Sequence, residues 1–372
     1  MTQPRTYLDY NASAPLRPEA REAMLAALDV AGNASSVHAE GRRARAIVDE
    51  ARDAVAGLVN ARPSEVIFTS GATESNTWAL SAPWERIAFA DIEHDSIRAP
   101  AAQIAAQRGA EMIRLPVSTD GAADFGSLAS GPNTLLVLQM ANNETGVQQD
   151  VDAAGRWATE NGARLHTDAV QAPGRTPIDF ARTGAHTMSL SAHKIGGPKG
   201  IGALVIGAGV ALDPLFLGGG QEQRRRAGTE NVAAIAGFGA AARAALDDLA
   251  SAARVATLRD ALEAAVIAAA PQAVVIGRDA PRLCNTSMIA LPGTSAETAV
   301  IKLDLKGLAV SAGSACSSGK VGESHVLRAM GLSPEIARSA IRVSLGPDTT
   351  EQDIAAFVAA WRDIHGGASL AA

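Results

Sequence analysis

The sequence has 372 residues, of which 47% are hydrophobic, 19% are charged and only 3% are aromatic. This length can bury two sizeable cores, and the proportions exclude a disordered or fibrous chain. The formal net charge is −6 and no apolar run approaches the roughly 18 residues of a membrane span, so we expect neither nucleic acid nor a membrane as a partner. Two cysteines and an N-terminus without a leader pattern predict a cytoplasmic protein that has no disulfide framework.

The N-terminal part of the chain is predicted to hold a short extended segment and two helices, over about 19–30 and 41–58. A strand that begins at about Glu65 then breaks at Ser70-Gly71, and a third helix begins at about Thr73. Backbone N–H groups and a hydroxyl at such a helix start suit a phosphate group, although Ser70 or Thr73 could equally be a simple helix cap. The glycine spacing differs from that of nucleotide-binding loops, so nucleotide binding is not indicated.

Strands and helices then alternate along the chain up to Ile206. Strands are predicted over 86–90, 111–116, 134–140, 164–169, 186–191 and 202–206, with helices over 96–108 and 151–161. This order predicts an α/β fold with a mostly parallel sheet, in which ligands bind beyond the carboxyl ends of the strands. Polar residues follow the predicted strands at Ser70 to Thr73, Glu93-His94, Asn142 to Glu144, Asp168 and Lys194.

Asp168 and Lys194 form the most informative pair in this set. Lys194 precedes a Gly-Gly-Pro turn among small residues, where a desolvated amine can form a Schiff base with an aldehyde cofactor. Pyridoxal 5'-phosphate (PLP) needs such a lysine and, across its ring, a carboxylate that keeps the pyridine nitrogen protonated. A solvated surface lysine is the alternative for an isolated His-Lys pair, but an aspartate at a neighbouring strand end favours the cofactor.

Three further residues have both a structural and a functional interpretation. His94 could pack or cap a helix, or it could stack on a cofactor ring or relay protons. Asn143 lies in Asn-Asn-Glu-Thr-Gly, which is turn chemistry, but its side chain could also bind a cofactor or a substrate. Arg342, on a late strand, is either structural or a bidentate ligand for a substrate carboxylate.

The pattern changes after Ile206. A glycine- and arginine-rich segment, 217–231, leads into two alanine-rich helices over about 231–249 and 253–269. Short strands follow over 273–276, 285–291, 308–311 and 340–345, with helices over 295–305 and 350–361. From this change we predict a large domain of residues 13–252 and a small domain built from residues 1–12 and 253–372.

The two cysteines have different surroundings. Cys284 lies on a probable strand, where a buried and inert thiol is expected. Cys316 lies in a segment of small residues, Ser311 to Lys320, that offers it no apolar packing partners. We therefore predict that Cys316 is accessible and mobile, as a travelling nucleophile must be.

With these residues identified, the sequence resembles the NifS-like cysteine desulfurases, a group of PLP enzymes within the class-V aminotransferase family. The resemblance runs nearly from end to end and rests on the motifs FTSGATESN, NNETG, TDAVQ, SAHK, AGTEN and SAGSACSS. The Gly-Ser-Ala-Cys segment is similar to that of desulfurases with a long mobile cysteine loop. The resemblance implies the aspartate-aminotransferase-type fold, with a large domain around a mostly parallel sheet and a smaller α+β domain.

The resemblance also implies roles for individual residues. Lys194 would hold PLP, Asp168 would pair with the pyridine nitrogen, and His94 would stack on the ring and take part in catalysis. Asn143 and Arg342 would hold the substrate carboxylate, and Gln171 would bond the ring hydroxyl. The remaining implied cofactor residues are Ala72, Thr73, Asn143, Ser191, His193 and Thr229 of the partner subunit in a homodimer. No metal is implied.

The implied reaction converts L-cysteine to L-alanine and leaves the sulfur as a persulfide on Cys316. The sulfur would serve iron–sulfur cluster assembly or another thiolation, through an acceptor such as a scaffold protein. A selenocysteine lyase and a small-amino-acid aminotransferase on the same fold are the alternatives, together with a non-catalytic sulfur-trafficking protein. Cys316 favours the desulfurase because an aminotransferase has no need of it.

Overall fold

The computed structural model describes residues 5–129, 131, 133–313 and 323–365. The helices in these residues are α1 (Pro18–Leu28), α2 (Ala39–Leu58), α3 (Ala72–Leu80), α4 (Asp95–Arg108), α5 (Val151–Glu160), α6 (Phe180–Thr183), α7 (Val232–Asp248), α8 (Ala252–Ala269), α9 (Ala296–Leu305), α10 (His325–Ala329), α11 (Pro334–Ser339) and α12 (Glu351–His365). The strands are β1 (Thr6–Tyr7), β2 (Val66–Thr69), β3 (Arg86–Ala90), β4 (Glu111–Leu115), β5 (Thr134–Val137), β6 (Arg164–Asp168), β7 (Thr187–Ser191), β8 (Gly202–Ile206), β9 (Val274–Ile276), β10 (Thr286–Ala290), β11 (Leu308–Ala309), β12 (Ser311–Ala312) and β13 (Ala340–Ser344).

The large sheet has the strand order β2-β8-β7-β6-β5-β3-β4. Strands β3 to β7 are parallel to their neighbours in this group, whereas β8 is antiparallel to both β2 and β7. Residues 192–201, which connect β7 to β8, are too few for a parallel crossover, which needs a dozen or more residues. The chain therefore reverses its direction between β7 and β8. Lys194 lies in this reversal, just beyond the carboxyl end of β7. The prediction of a mostly parallel sheet is confirmed.

Smaller sheets are built mainly from the C-terminal part of the chain. Strands β12, β13, β10 and β9 form an antiparallel sheet, and β1 pairs in parallel with β11. The single strand predicted over 308–311 is wrong, because the chain changes sheets at Val310 and forms β11 and β12 instead. The sequence patterns also did not predict α6, α10 and α11, since helices this short show little periodicity.

Two large apolar cores lie in these parts of the molecule. One surrounds the large sheet and includes Phe68 and Phe238, and it also contains Met288 from β10. The other joins Leu8 to residues between 255 and 361, among which Phe357 and Trp361 have stacked rings. The packing of Leu8 with the C-terminal residues supports a small domain of residues 1–12 and 253–372, whose boundary with residues 13–252 stays a prediction.

No described helix combines the length and the apolar character needed to cross a membrane. Within the same residues, no three His, Cys, Asp or Glu side chains are grouped closely enough to hold a metal ion.

Candidate active site

A cavity of about 550 Å³ lies at the carboxyl ends of the strands of the large sheet. It brings together most of the residues that the sequence analysis selected. The predicted site residues that line it are Ala72, Thr73, His94, Asn143, Asp168, Gln171, Ser191, His193, Lys194 and Arg342. Thr229 is exposed and lines a different depression, together with Phe216 and Leu217. Cys316 lies outside the described residues.

Lys194 is held against the N-terminal segment of the chain. Its Nζ atom donates hydrogen bonds to the carbonyl oxygens of Asn11 and Ala12. The segment itself is fixed to the turn that carries Lys194, because the backbone N–H of Arg17 donates to the carbonyl of Gly196 over 2.9 Å. Gly196 has φ +80°, and a Cβ atom there would lie 2.5 Å from Cγ of Arg17. Only glycine therefore allows the N-terminal segment to approach the lysine turn so closely.

Asp168 ends β6 with a buried carboxylate whose two oxygens have separate donors. Oδ2 accepts a hydrogen bond of 2.8 Å from Nδ2 of Asn76, and Oδ1 accepts one of 3.0 Å from the backbone N–H of Val170. Because both oxygens are held, the carboxylate has one orientation at the wall of the cavity. Sequence reasoning found Asp168 but not Asn76, whose place in the motif FTSGATESN gave no sign of this contact.

The start of α3 has no side-chain cap, so the interpretation of Ser70 or Thr73 as a simple cap is wrong. Gly71 is the N-cap residue with φ +153°, and both the N–H and the hydroxyl of Ser70 bind Glu74 instead. Ala72 and Thr73, the first residues of α3, line the same cavity as Ser191, His193 and Lys199. This donor set, at the positive end of a helix dipole, suits a phosphate group.

His193 has a neutral ring at physiological pH. Burial lowers the pKa of His193 to about 4, and the neighbouring charges of Lys194 and Lys199 act in the same direction. Its Nδ1 atom lies 3.3 Å from the hydroxyl of Ser13. A neutral imidazole can still donate one hydrogen bond to a phosphate oxygen.

His94 caps α4, as the structural interpretation of this residue expected. Its Nδ1 atom accepts a hydrogen bond of 3.1 Å from the backbone N–H of Ser96 and lies 2.9 Å from the hydroxyl of the same residue. The ring nevertheless lines the cavity. The capping role fixes the ring where it can also contact a bound ligand.

Asn142, rather than Asn143, builds the turn after β5. Its Oδ1 atom accepts hydrogen bonds of 2.9 Å from the backbone N–H groups of Glu144 and Thr145. The carbonyl of Asn143 accepts a bond of 3.1 Å from Nη1 of Arg342, and Nη2 of Arg342 forms an ion pair of 2.7 Å with Asp9. The Nε atom of Arg342 has no hydrogen-bond partner in the described part of the chain. Arg342 therefore has a structural role and also lines the cavity.

Gln171 is oriented by two neighbours. Its Nε2 atom donates to the carbonyl of Asn11 over 3.0 Å, and its Oε1 atom accepts from Nη1 of Arg175. The N-terminal segment thus contacts both Gln171 and Lys194. Cys284 lies behind these residues on a separate cavity of about 310 Å³, where burial raises the pKa of its thiol. The expected strand position is wrong, because Cys284 lies in the turn before β10, and its side chain is half-buried. The raised pKa keeps the thiol protonated, which agrees with the expected inert thiol.

Glu144 is a buried residue that sequence reasoning treated only as part of a turn motif. Burial raises the pKa of Glu144 to about 7. Its Oε2 atom accepts a hydrogen bond of 2.5 Å from the hydroxyl of Ser324, and a Cβ atom on Gly313 would lie 2.8 Å from the same oxygen. Glu144 therefore binds Ser324 and lies beside Gly313, which follow and precede the segment that contains Cys316.

Comparison with known protein families identifies the relatives of the chain. The model of the family Aminotransferase class-V matches residues 6–357. The chain belongs to this family. The family match also confirms the α/β fold that the motifs predicted.

Similar proteins within the family are named as cysteine desulfurases. A cysteine desulfurase of Cereibacter sphaeroides is 43% identical over 361 residues, which cover 94% of this chain and 93% of the relative. An IscS-like cysteine desulfurase of Mycobacterium tuberculosis is 38% identical over 365 residues, with coverage of 94% and 93%. Among solved structures, a NifS-like protein from Rickettsia africae superposes with a TM-score of 0.89 and 33% identity, covering 97% of this chain and 99% of that chain.

Proposed function

We propose that the protein is a PLP-dependent cysteine desulfurase, which converts L-cysteine to L-alanine and transfers the sulfur to Cys316. The observation that carries the proposal is the single cavity that holds Lys194, Asp168 and His94 beside the uncapped start of α3. The relatives named as cysteine desulfurases, which match almost the whole chain, support this activity over others on the same fold.

The residues of the cavity fit PLP in charge and in hydrogen-bond type. The amine of Lys194 suits the aldehyde, and the carboxylate of Asp168 suits a protonated ring nitrogen. The N–H groups at the start of α3, with Thr73, Ser191 and His193, suit the phosphate. When bound, PLP supplies an electrophilic carbon for the substrate amine and a protonated ring that withdraws electrons from the substrate α-carbon.

Each side chain of the site has a separate role in the proposed reaction. Nζ of Lys194 removes the α-proton of L-cysteine and holds it, because the carbonyls of Asn11 and Ala12 keep the amine at the cavity wall. Asp168 would accept a hydrogen bond from the ring nitrogen of bound PLP and stabilise its positive charge. His94 would contact the ring. Asn143 and Arg342, which both line the cavity, hold the substrate carboxylate.

Sulfur transfer requires a thiol nucleophile. The described residues that line the cavity include no cysteine, and Cys316 is proposed for this step. Its thiolate attacks the sulfur of the substrate, so that a sulfur–sulfur bond forms and the substrate carbon–sulfur bond breaks. The electron pair of the broken bond stays on the carbon, which takes up a proton to give alanine. One cysteine and one enzyme thiol thus yield one alanine and one enzyme persulfide, and no oxidant is needed.

A homodimer and a sulfur acceptor complete the proposal. Thr229 of the partner subunit would join the phosphate site. Leu217, which is 87% exposed, and Phe216, which is 47% exposed, lie beside Thr229 and would be covered by a second subunit. The persulfide would pass to an acceptor protein for iron–sulfur cluster assembly or another thiolation.

The test measures alanine and sulfide released from L-cysteine in the presence of a thiol reductant, without any keto acid. Equal molar yields over many turnovers are expected. Amino transfer that depends on an added keto acid, without sulfide, would contradict the proposal and favour an aminotransferase.

Two variants assign the chemistry to residues. Lys194→Ala should lose the visible absorbance of lysine-bound PLP and all turnover. Cys316→Ser should keep PLP yet form no persulfide, whereas Cys284→Ser, the matched control, should keep both. Normal sulfur release from Cys316→Ser would overturn the assignment of the acceptor.

A further inference from the structure

Asn76 contacts Asp168 directly and reaches His94 through Ser96, although it does not line the cavity itself. Its side chain is completely buried in α3. Nδ2 donates to Oδ2 of Asp168 over 2.8 Å and to the hydroxyl oxygen of Ser96 over 2.9 Å. On its other side, Oδ1 lies 3.0 Å from Nε2 of His166. Every hydrogen-bonding atom of the amide is therefore in use.

The orientation of this amide follows from the chemistry of Asp168. An ionised carboxylate only accepts hydrogen bonds, so the NH₂ group of Asn76 must face Asp168. The reversed amide would place two oxygen acceptors 2.8 Å apart. Oδ1 consequently faces His166, whose ring is neutral because burial lowers its pKa to about 4. His166 then donates its proton from Nε2 to Asn76, and its Nδ1 accepts from the hydroxyl of Thr187 over 2.8 Å.

The direction of these bonds continues to His94. Because the oxygen of Ser96 accepts from Asn76, the hydroxyl proton of Ser96 points to Nδ1 of His94, 2.9 Å away. The same Nδ1 also accepts the backbone N–H of Ser96. An atom that accepts from two donors does not carry a proton. A neutral His94 therefore holds its proton on Nε2, which makes no hydrogen bond with any described residue.

We propose that Asn76 is a positioning residue in one directed hydrogen-bond network: it orients Asp168, and through Ser96 it gives Nδ1 of His94 a second donor beside the backbone N–H of Ser96. His94 presents an N–H donor from Nε2 toward a ligand in the cavity, and its Nδ1 does not act as a base. The assignment of the tautomer is independent of the reaction, whereas its use toward PLP and cysteine rests on the proposed function.

The first experiment determines the tautomer directly. The full-length protein is labelled with ¹⁵N-histidine, and long-range ¹H–¹⁵N correlations are recorded at mildly alkaline pH, with PLP bound and after its removal. The signal of His94 among the seven histidines is identified by its loss in His94→Gln. A single tautomer protonated on Nε2 is expected in both states. A His94 protonated on Nδ1 would overturn the proposal.

Variants then test the part played by Asn76. Asn76→Asp replaces the NH₂ donor with an acceptor, so Ser96 should turn its hydroxyl proton to the new carboxylate and its oxygen to His94. Nδ1 of His94 then keeps only the backbone N–H of Ser96 as a donor, so its ¹⁵N resonance should shift while the proton stays on Nε2. The control is Ser75→Ala, which removes a buried hydroxyl from the same helix that bonds Thr69 and Gly71 but no histidine. An unchanged Nδ1 resonance of His94 in folded Asn76→Asp would contradict the network.

A second readout covers the case in which Asn76→Asp does not fold. Asn76→Ala removes a donor from the charged carboxylate of Asp168, so the affinity for PLP should fall by about tenfold to a hundredfold. Ser75→Ala should bind PLP as tightly as the wild type. Equal affinity in Asn76→Ala and the control would overturn the role toward Asp168. A protein that binds no PLP in any form would refute the proposed function, while the tautomer measurement without PLP would still test the network.

Discussion

The buried ion pair between Arg52 and Glu222 offers a direct test of how the segment near Thr229 is held. Nη1 and Nη2 of Arg52 each bind one carboxylate oxygen of Glu222 over 2.8 Å. The exposed fractions of the two side chains are 8% and 3%. The backbone N–H of Phe68 donates to the same carboxylate over 2.8 Å, and Arg52 also binds the carbonyl of Val66. The pair thus fastens the segment to α2 and β2.

The segment needs this support because its backbone is strained. Glu222, Gln223 and Arg224 have φ values of +45°, +59° and +64°. A left-handed conformation costs about 1–2 kcal/mol for each non-glycine residue. Removal of Arg52 would also leave a buried carboxylate without its ion-pair partner, and such a loss costs about 3–5 kcal/mol. We therefore expect Arg52→Leu to lower the free energy of unfolding by about 3–5 kcal/mol.

The assay is urea unfolding followed by tryptophan fluorescence, since Trp78, Trp84 and Trp157 pack in clusters that include residues of the large sheet. Arg5→Leu is the control, because it removes an exposed ion pair with Asp304 that should contribute no more than about 1 kcal/mol. Adding Glu222→Gln to Arg52→Leu should restore part of the loss. The reasoning is refuted if Arg52→Leu matches the control, or if the double variant is less stable than the single one.

Three further predictions concern single residues of the site. Burial raises the pKa of Glu144 from 4.5 to about 7, so the folded protein binds this proton more tightly than the unfolded chain does. The free energy of unfolding should therefore fall as the pH rises from about 4.5 through 7. Glu144→Gln should remove up to about 3 kcal/mol of this dependence in urea unfolding at several pH values, and parallel profiles would contradict it. Arg342→Lys should raise the KM for L-cysteine by about tenfold with PLP binding unchanged, and an unchanged KM would count against carboxylate binding. Gly196→Ala should destabilise the protein more than Gly200→Ala, because both have φ +80° but only the first added Cβ meets Arg17. Equal urea midpoints for the two variants would show that Arg17 does not lie close enough to Gly196 to clash with an added Cβ atom.

The sequence by itself predicted the mostly parallel sheet and most of the residues that line the cavity. Strands β3 and β8 have the predicted bounds, because each is a short apolar run between turn residues. Asp168 and Lys194 were found because functional side chains follow parallel strands at one edge, and strand ends can be located from local composition. The motifs carried the family resemblance, which the family match then confirmed.

The tertiary structure alone decided the contacts between distant segments. Glu144 meets Ser324 across 180 positions of the chain, and Asn76 meets Asp168 across 92. The hydropathy pattern of a sequence cannot predict such a hydrogen bond between distant residues. It indicates which face of a helix or strand is buried, but not which atoms meet there. The absence of a side-chain cap at α3 was hidden for the same reason, since Ser70 turns to Glu74 only in the folded chain. Local composition thus determined which residues reach the site, and long-range packing determined which hydrogen bonds orient them.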